Sequence, residues 1–205
     1  MKKTLKILLI VCFAVLTAGK SPLPEGYQVG DPVQNFKLRN VDDKMVSLSD
    51  YSGQKGVILI FDCNTCPYSQ AYNQRIIDLH EKYSSKGFPV ITINANDPDL
   101  SPGDSFEEMV KRAENKAYKF PYLIDESQEV ARAFGATNTP HVFLLNRTGS
   151  DFVVAYIGAI DNNSRDASSA SKRYVEAAID AILEGKKVPT QKTKAVGCGI
   201  KYRNT

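Results

Sequence analysis

The sequence predicts an α/β domain in which helices flank a central mixed β-sheet. Two continuous runs of β-branched and aromatic residues, 57–61 and 89–93, have the composition of strands buried on both faces of a sheet. Between them, apolar residues recur at helical spacing over residues 68–83, so the three segments form a β-α-β unit. A length of 205 residues is enough for one domain with extensions and too short for two domains of ordinary size.

Residues 1–19 differ in composition from the rest of the chain. Three lysines precede an uninterrupted apolar run at residues 7–16, and small residues follow at Ala18 and Gly19. This order is typical of a secretory signal peptide that is cleaved near Ala18 or Gly19. The alternative is a membrane anchor, but the run is about half of the roughly 20 apolar residues that span a bilayer. We therefore expect an exported protein, periplasmic or extracellular, with no stable membrane insertion after cleavage.

The net charge of +3 comes from residues 1–19, because that segment holds three lysines and no acidic residue. The remainder is formally neutral and has neither a basic stripe nor basic residues interleaved with aromatic ones. We therefore expect no nucleic acid partner. Residues 186–203 are locally basic, and we interpret them as a solvated segment.

The fold is predicted to begin after an extended lead-in. Residues 20–34 contain several prolines and glycines and show neither a helical nor a strand period. The predicted domain covers residues 35–185 and opens with an N-terminal β-hairpin, whose strands are residues 35–38 and 45–48. Polar residues between these two short strands form the turn.

Shorter elements follow the β-α-β unit. Ser105 and Glu108 have the spacing of a capping box at the start of a helix. The predicted elements are a helix at 105–116, a strand at 122–124, a helix at 127–134, a strand pair at 142–145 and 152–157, a helix at 169–183, and a C-terminal tail of residues 186–205 that carries Cys198.

The main chemical signal is the segment Cys63-Asn64-Thr65-Cys66, at the junction of a predicted strand and a predicted helix. A thiolate carries out disulfide exchange, and the free N–H groups at a helix N-terminus stabilise a thiolate. Two intervening residues on the first helical turn let the second sulfur reach the first. We predict that Cys63 attacks a substrate disulfide and that Cys66 resolves the mixed disulfide.

Three other roles for this cysteine pair are disfavoured. Haem attachment requires a histidine directly after the second cysteine, where this chain has Pro67. Zinc normally needs a second pair of ligands, and the chain offers only Cys198, His80 and His141. An inert disulfide is uncommon at a strand-to-helix junction. We therefore favour redox function and expect neither a metal nor an organic cofactor.

With the cysteine pair, Thr139-Pro140 makes the chain resemble the thioredoxin superfamily. In that superfamily such a pair carries a cis proline beside the cysteines and aligns the substrate backbone. The resemblance implies a thioredoxin-like fold, with Thr139 and Pro140 binding substrate. The alternative is that Pro140 only starts an edge strand.

Further segments resemble the redoxin branch of this superfamily, which groups AhpC/TSA-like peroxiredoxins with exported TlpA/ResA-type thiol-disulfide reductases. These segments are residues 29–32 with the hairpin, 61–67, 94–98, 120–125 and 197–201. The resemblance implies a thiol-disulfide oxidoreductase that acts on protein disulfides or dithiols and exchanges electrons with a dithiol donor protein, without a cofactor.

The chain also departs from these families. Cys63 replaces the threonine that peroxiredoxins carry three residues before their peroxidatic cysteine, and Thr139-Pro140 falls near the place of their peroxide-orienting arginine. Asp62 stands where thioredoxins have a tryptophan, and an acid there should oppose thiolate formation at Cys63.

Cys198 has two interpretations. It is either an additional redox cysteine that reaches back to the site as a resolving thiol, or a packed or idle thiol of the tail. Two other functions also stay open. One is a thiol peroxidase that uses Cys66, and the other is a copper-binding chaperone that uses Cys63, Cys66 and His141. Local hydrogen bonds are the simpler role for His141. Residue identities alone do not decide whether the protein reduces or oxidises its partners, and they do not give the oligomeric state.

Overall fold

The computed structural model describes residues 26–203, so the predicted signal peptide lies outside the described residues. The strands are β1 Lys37–Asn40, β2 Met45–Ser47, β3 Gly56–Phe61, β4 Val90–Asn94, β5 Tyr122–Ile124, β6 Asn138–Thr139, β7 His141–Thr148, β8 Asp151–Gly158 and β9 Cys198–Gly199. The α-helices are α1 Pro67–Tyr83, α2 Phe106–Asn115, α3 Glu129–Phe134 and α4 Tyr174–Leu183.

Seven of these strands form one mixed sheet in the order β2-β1-β5-β4-β3-β7-β8. The centre of the sheet is the β-α-β unit, since β3 and β4 pair in parallel with Leu59 opposite Ile91. On its other side β3 pairs antiparallel with β7, which places Phe61 opposite His141. The end of β3, where the cysteine segment begins, therefore lies beside the start of β7.

The core lies on both faces of the sheet, because β3 is buried along its whole length. Leu59 and Phe61 pack on one face with Phe134 of α3. Ile58 and Ile60 pack on the opposite face with apolar residues of α1 and α4. The predicted α/β fold with a mixed sheet, flanking helices and an N-terminal hairpin is confirmed.

The start of α4 and the capping box of α2 differ from their predictions. α4 begins at Tyr174 instead of residue 169, because side chains bind the preceding loop; the Ser169 hydroxyl donates to Asp166 at 2.5 Å. At α2 the Glu108 N–H donates to the Ser105 hydroxyl at 3.4 Å, as predicted. The second hydrogen bond of a capping box, from the Ser105 N–H to the Glu108 carboxylate, is absent, because that carboxylate pairs instead with Lys111.

The lead-in and the tail both pack on the domain. The Gly30 N–H donates to the Val154 carbonyl at 2.8 Å, so the lead-in runs beside β8. The basic residues of the tail are exposed, as the interpretation of a solvated segment implies, but the tail also packs on the domain, since Ala195 and Ile200 are buried and β9 pairs antiparallel with β6. In the part of the chain that the structure describes, no helix has the length and apolar character needed to cross a membrane.

Candidate redox site

The cysteine segment connects the end of β3 to the start of α1. Pro67 is the first residue of the helix, which makes Cys66 the N-cap residue. Asn64 and Thr65 therefore lie in the loop before the helix, and not on its first turn as we predicted. The cysteine that benefits directly from the helix N-terminus is Cys66.

A buried carboxylate holds this loop in place. Asp104 is fully buried and accepts five hydrogen bonds, two of them from the backbone N–H groups of Asn64 and Thr65 at 2.6 and 3.1 Å. The other three come from the side chains of Thr65, Ser101 and Asn96 at 2.7, 2.6 and 2.8 Å. Burial alone would raise the pKa of Asp104, but these hydrogen bonds outweigh it and lower the pKa.

A buried ion pair lies beside Cys63. The Arg112 guanidinium is 3.1 Å from the Asp62 carboxylate, and it also donates to the Cys63 carbonyl oxygen. Burial raises the pKa of Asp62, and Arg112 opposes that rise. The Asp62 Oδ1 atom has no hydrogen-bond partner among the described residues. As expected from the sequence, the charge of Asp62 contributes to raising the pKa of Cys63.

Three cysteine sulfurs meet around Thr139. The Cys63 Sγ lies 3.0 Å from the Thr139 hydroxyl, and the Cys66 Sγ lies 3.1 Å from the Thr139 carbonyl oxygen. On its other side, the Cys66 Sγ is 2.6 Å from the Cys198 Sγ, and the Cys198 N–H is directed at it from 3.4 Å. All three cysteines are unbonded thiols. Cys66 is thus the central sulfur of the cluster.

The interaction between their side chains separates the pKa values of Cys63 and Cys66. The Cys63 side chain lowers the pKa of Cys66, and the Cys66 side chain raises the pKa of Cys63. Burial acts against the Cys66 thiolate, but the Cys198 thiol and the N–H groups of Ser69 and Cys198 support it. Burial raises the pKa of Cys63 further. These effects favour the thiolate on Cys66, whereas the sequence led us to expect it on Cys63.

The segment beside the cysteines has the conformation that the resemblance implied. The Thr139–Pro140 peptide bond is cis. His141 follows it, and its Nδ1 atom accepts a hydrogen bond from the Thr137 N–H at 3.4 Å. Burial lowers the pKa of His141 to about 4, so the ring is neutral near pH 7. This local hydrogen bond is the role that we considered simplest for His141.

No group of three His, Cys, Asp or Glu side chains within residues 26–203 has the geometry of a metal site. Of the two histidines of the described chain, His80 lies on α1, and its Nδ1 atom accepts from the Val90 N–H at 3.3 Å. It packs against Phe120. Neither histidine nitrogen named here is free to bind a metal without losing a backbone hydrogen bond.

The model of the AhpC/TSA family matches residues 29–157, which include Cys63, Cys66, Thr139 and Pro140. The chain belongs to the AhpC/TSA family. It is 30% identical over 146 residues to the thiol-disulfide oxidoreductase ResA of Bacillus thuringiensis, an alignment that covers 70% of this chain and 80% of ResA. This membership confirms the predicted resemblance, and the chain is an oxidoreductase.

Two solved structures show the same fold. An uncharacterized conserved protein from Geobacillus kaustophilus is 35% identical, with a TM-score of 0.80 over 87% of this chain and 94% of that one. A thiol:disulfide interchange protein of the thioredoxin family from Chlorobium tepidum has a TM-score of 0.55 at 18% identity, over 78% and 98% of the two chains. The AhpC/TSA match ends before the tail, so Cys198 lies outside the matched region.

Sequence reasoning missed the residues that position the cysteines of this AhpC/TSA protein. Asp104 directly precedes the predicted helix at 105–116, and Arg112 lies on that helix among many other charges. Neither has a spacing that separates it from exposed residues of the same kind. Ser69 was also missed, although it is the third residue of α1, the position whose N–H faces the side chain of an N-cap residue.

Proposed function

We propose that the protein is a thiol-disulfide oxidoreductase that exchanges disulfides with protein partners through Cys63 and Cys66. The observation that carries this proposal is the arrangement of the two sulfurs, with a thiolate favoured on Cys66 at the helix N-cap and a thiol on Cys63. The name of the ResA relative supports the same reaction class. No step of the exchange requires a cofactor.

The lowered pKa of Cys66 suits both directions of exchange. In the reduced protein the Cys66 thiolate attacks a partner disulfide, and one partner sulfur leaves as a thiolate. Cys63, after losing its proton to that leaving thiolate, then attacks Cys66 Sγ and releases the reduced partner. A Cys63–Cys66 disulfide remains, and the partner has gained the two electrons that the pair has lost. The reverse sequence oxidises a partner dithiol.

Thr139 and Pro140 remain the proposed substrate-binding residues. Thr139 contacts both active cysteines, through its hydroxyl and its carbonyl oxygen. In the structure the strand edge of β6 is occupied by β9, where Cys198 pairs with Thr139. A partner strand that pairs with Thr139 must therefore replace the tail.

Exposed apolar side chains near the site support a protein partner. Within residues 26–203 the large apolar residues that are exposed are Met45, Leu100 and Val196, at 50%, 56% and 44%. Leu100 precedes Ser101, whose hydroxyl lies 3.3 Å from the Thr65 hydroxyl, and Val196 lies two residues before Cys198. Apolar side chains on two sides of a redox site are suited to contact a protein surface.

This partner class has a direct test with a matched control. The double substitution Leu100→Ser and Val196→Ser should raise the KM for a protein disulfide such as that of insulin, while the rate with glutathione disulfide stays unchanged. Met45→Ser removes an equally exposed apolar side chain from the hairpin and should change neither rate. Equal loss with both substrates, or no loss with insulin, would contradict a protein-docking role.

The exchange reaction is tested by mapping disulfides with mass spectrometry. The full chain, with Cys12→Ser to remove the cysteine of the predicted signal peptide, is equilibrated across a glutathione redox series. We expect a reversible Cys63–Cys66 disulfide in the Cys198→Ser variant, and no insulin reduction by Cys66→Ser. Absence of any reversible disulfide that includes Cys66 would exclude the proposed function.

A thiol peroxidase is the second candidate, and one observation favours it. Cys66 has a lowered pKa, and Cys198 is in contact with it as a resolving thiol would be. Stoichiometric peroxide separates the two functions. Sluggish oxidation of Cys66 supports disulfide exchange, whereas fast trapping of a Cys66 sulfenic acid would make the protein a peroxidase.

We also propose that the protein is exported, on the strength of the lysines and apolar run within residues 1–16. Disulfide exchange with protein partners fits an oxidising compartment. The intact mass of the protein purified from a secreting bacterial host should correspond to a chain that begins near residue 19 or 20. An intact mass that includes residues 1–19 would contradict cleavage.

A further inference from the structure

We propose that Cys198 is a third redox cysteine, which forms a disulfide with Cys66 and, while the tail is in place, is the sulfur that a partner dithiol attacks. This inference rests on the proposed exchange function and assigns its entry point. In this scheme Cys66 is shared, and it pairs alternately with Cys63 inside the domain and with Cys198 on the tail.

The tail is anchored on both sides of Cys198. Cys198 lies opposite Thr139 in the ladder between β9 and β6. The Ile200 N–H donates to the Thr137 carbonyl at 3.0 Å, and the Lys201 N–H donates to the Asn96 side chain at 2.8 Å. These bonds hold Cys198 at one position over the site, and its sulfur lies 2.6 Å from that of Cys66.

The residue before Cys198 permits this close approach. A Cβ atom on Gly197 would lie 2.0 Å from the carbonyl oxygen of Thr139, which is backbone and cannot move aside like a flexible side chain. Glycine therefore lets the tail run directly against the segment that carries Thr139. The Asn138 side chain closes the contact by donating to the Gly197 carbonyl at 3.0 Å.

Exposure distinguishes Cys198 from the other two cysteines. Cys63 and Cys66 are 1% and 2% exposed, whereas Cys198 is half-buried. A partner sulfur must approach a disulfide along its S–S axis, so a buried pair presents no sulfur to a folded protein without rearrangement. In a Cys66–Cys198 disulfide the sulfur that solvent and partners reach is that of Cys198.

Exchange between a partner dithiol and the Cys66–Cys198 disulfide needs no other oxidant or reductant. A partner thiolate attacks Cys198 Sγ, the Cys66–Cys198 bond breaks, and Cys66 leaves as the thiolate that the helix N-cap stabilises. The second partner thiol, once deprotonated, attacks the partner sulfur of the mixed disulfide, and Cys198 leaves and takes up that proton. The partner is oxidised to a disulfide, and its two electrons reside on Cys66 and Cys198.

Cys63 joins this cycle by exchange at the shared sulfur. When Cys63 and Cys66 are bonded, the Cys198 thiolate attacks Cys66 Sγ, the new Cys66–Cys198 bond forms, and Cys63 leaves and takes up a proton. No electrons are gained or lost in this step. It transfers the disulfide from the interior of the site to the tail.

The decisive experiment uses the full chain with Cys12→Ser and Cys66→Ser, which removes the sulfur that both proposed disulfides share. After reaction with glutathione disulfide, peptide mass spectrometry locates the glutathione adduct. We expect the adduct on Cys198, at least about tenfold more abundant than on Cys63, because access controls the attack. A dominant adduct on Cys63 would overturn the inference.

Two further variants separate this inference from the proposed function. In a glutathione redox series Cys63→Ser should form a Cys66–Cys198 disulfide, and Cys198→Ser a Cys63–Cys66 disulfide. If only Cys198→Ser forms its disulfide, the inference fails and the Cys63–Cys66 function stands. If only Cys63→Ser does so, the tail pairing stands and the Cys63–Cys66 pair fails. Thermal unfolding of each variant, compared with wild type, checks that it is folded.

Discussion

The two sides of the redox site are held by different means. On the loop side, Cys63 and Cys66 follow a strand that is buried along its whole length, and Asp104 binds the residues between them. On the tail side, Cys198 is placed by a ladder of two residues on each strand. The loop is held by a buried carboxylate, whereas the tail is held by strand pairing, by the burial of Ile200 and by hydrogen bonds along its backbone.

This difference indicates which side is built to move. Opening the loop would break buried hydrogen bonds to a carboxylate, which is costly in a low-dielectric interior. Opening the tail would expose Ile200 and break backbone hydrogen bonds such as that to Thr137, but water can satisfy the groups that are freed. A site with one rigid and one releasable sulfur can keep its thiolate in place while it exchanges partners.

Replacing Asp104 should produce the largest effect. Asp104→Ala leaves five donors without their buried acceptor, and we expect the free energy of unfolding to fall by about 3–5 kcal/mol in denaturant titrations. Asp42→Ala removes an exposed carboxylate from the hairpin turn and should change stability little. An Asp104→Ala protein as stable as wild type would show that the loop is no more firmly held than the tail.

The pH dependence of stability provides a second test, at the buried residue His141, which follows the cis peptide bond. Burial lowers its pKa from 6.5 to about 4, so the unfolded chain binds a proton at higher pH than the folded one. The stabilisation is complete above pH 6.5 and is lost as the pH falls towards 4, and this group accounts for about 3 kcal/mol of the loss.

The His141→Asn substitution replaces the ring nitrogen with an amide oxygen, which can accept from the Thr137 N–H but cannot titrate. Its unfolding free energy should therefore depend less on pH between 6.5 and 4 than that of wild type, in denaturant titrations at each pH. His80→Asn serves as the matched change on α1, where the pKa is also lowered by burial. Identical acid dependence in wild type and His141→Asn would contradict a buried neutral ring at this position.

The loop side was predictable because its signals are local. The apolar run of β3, the two cysteines and the helical period of α1 follow one another directly in the sequence. We expected the thiolate on Cys63 because we placed the intervening residues on the helix. Pro67 was the available signal, since proline favours the first position of a helix and thereby makes Cys66 the N-cap.

The tail side was not predictable, for a physical reason. A strand of two residues has no period, and its pairing with Thr139 joins parts of the chain that are far apart in sequence. Asp104 was missed for the same reason, because its partners Asn64 and Thr65 lie on a distant loop. Such contacts depend on tertiary placement, which residue types alone do not encode.

Gly197→Ala should affect the tail more than the fold. The added Cβ would lie 2.0 Å from the Thr139 carbonyl oxygen, so β9 must shift away from β6. We expect about 1–2 kcal/mol of lost stability and a clear fall in the yield of the Cys66–Cys198 disulfide. Gly53→Ala is the control, because a Cβ there meets no atom within 4 Å. Unchanged disulfide yield in Gly197→Ala would mean that the tail is not held through this contact.

The smallest expected effect is on the acidity of Cys66, and it tests whether the two sides communicate. Cys63 contributes most to lowering the pKa of Cys66, and the Cys198 side chain contributes less. Cys198→Ala removes this donor and should raise the pKa of Cys66, whereas Cys198→Ser keeps a hydroxyl that can donate and should raise it less. Ultraviolet titration of the thiolate measures both, with Cys66→Ser to identify the signal.

The backbone N–H of residue 198 is present in both variants, so a difference between them reports on the side chain alone. The order wild type, Cys198→Ser, Cys198→Ala in rising pKa would mean that the tail sulfur stabilises the Cys66 thiolate in solution. Equal pKa values in all three proteins would place the tail away from Cys66. The loop would then stabilise its thiolate without help from the tail, and the site would comprise two cysteines instead of three.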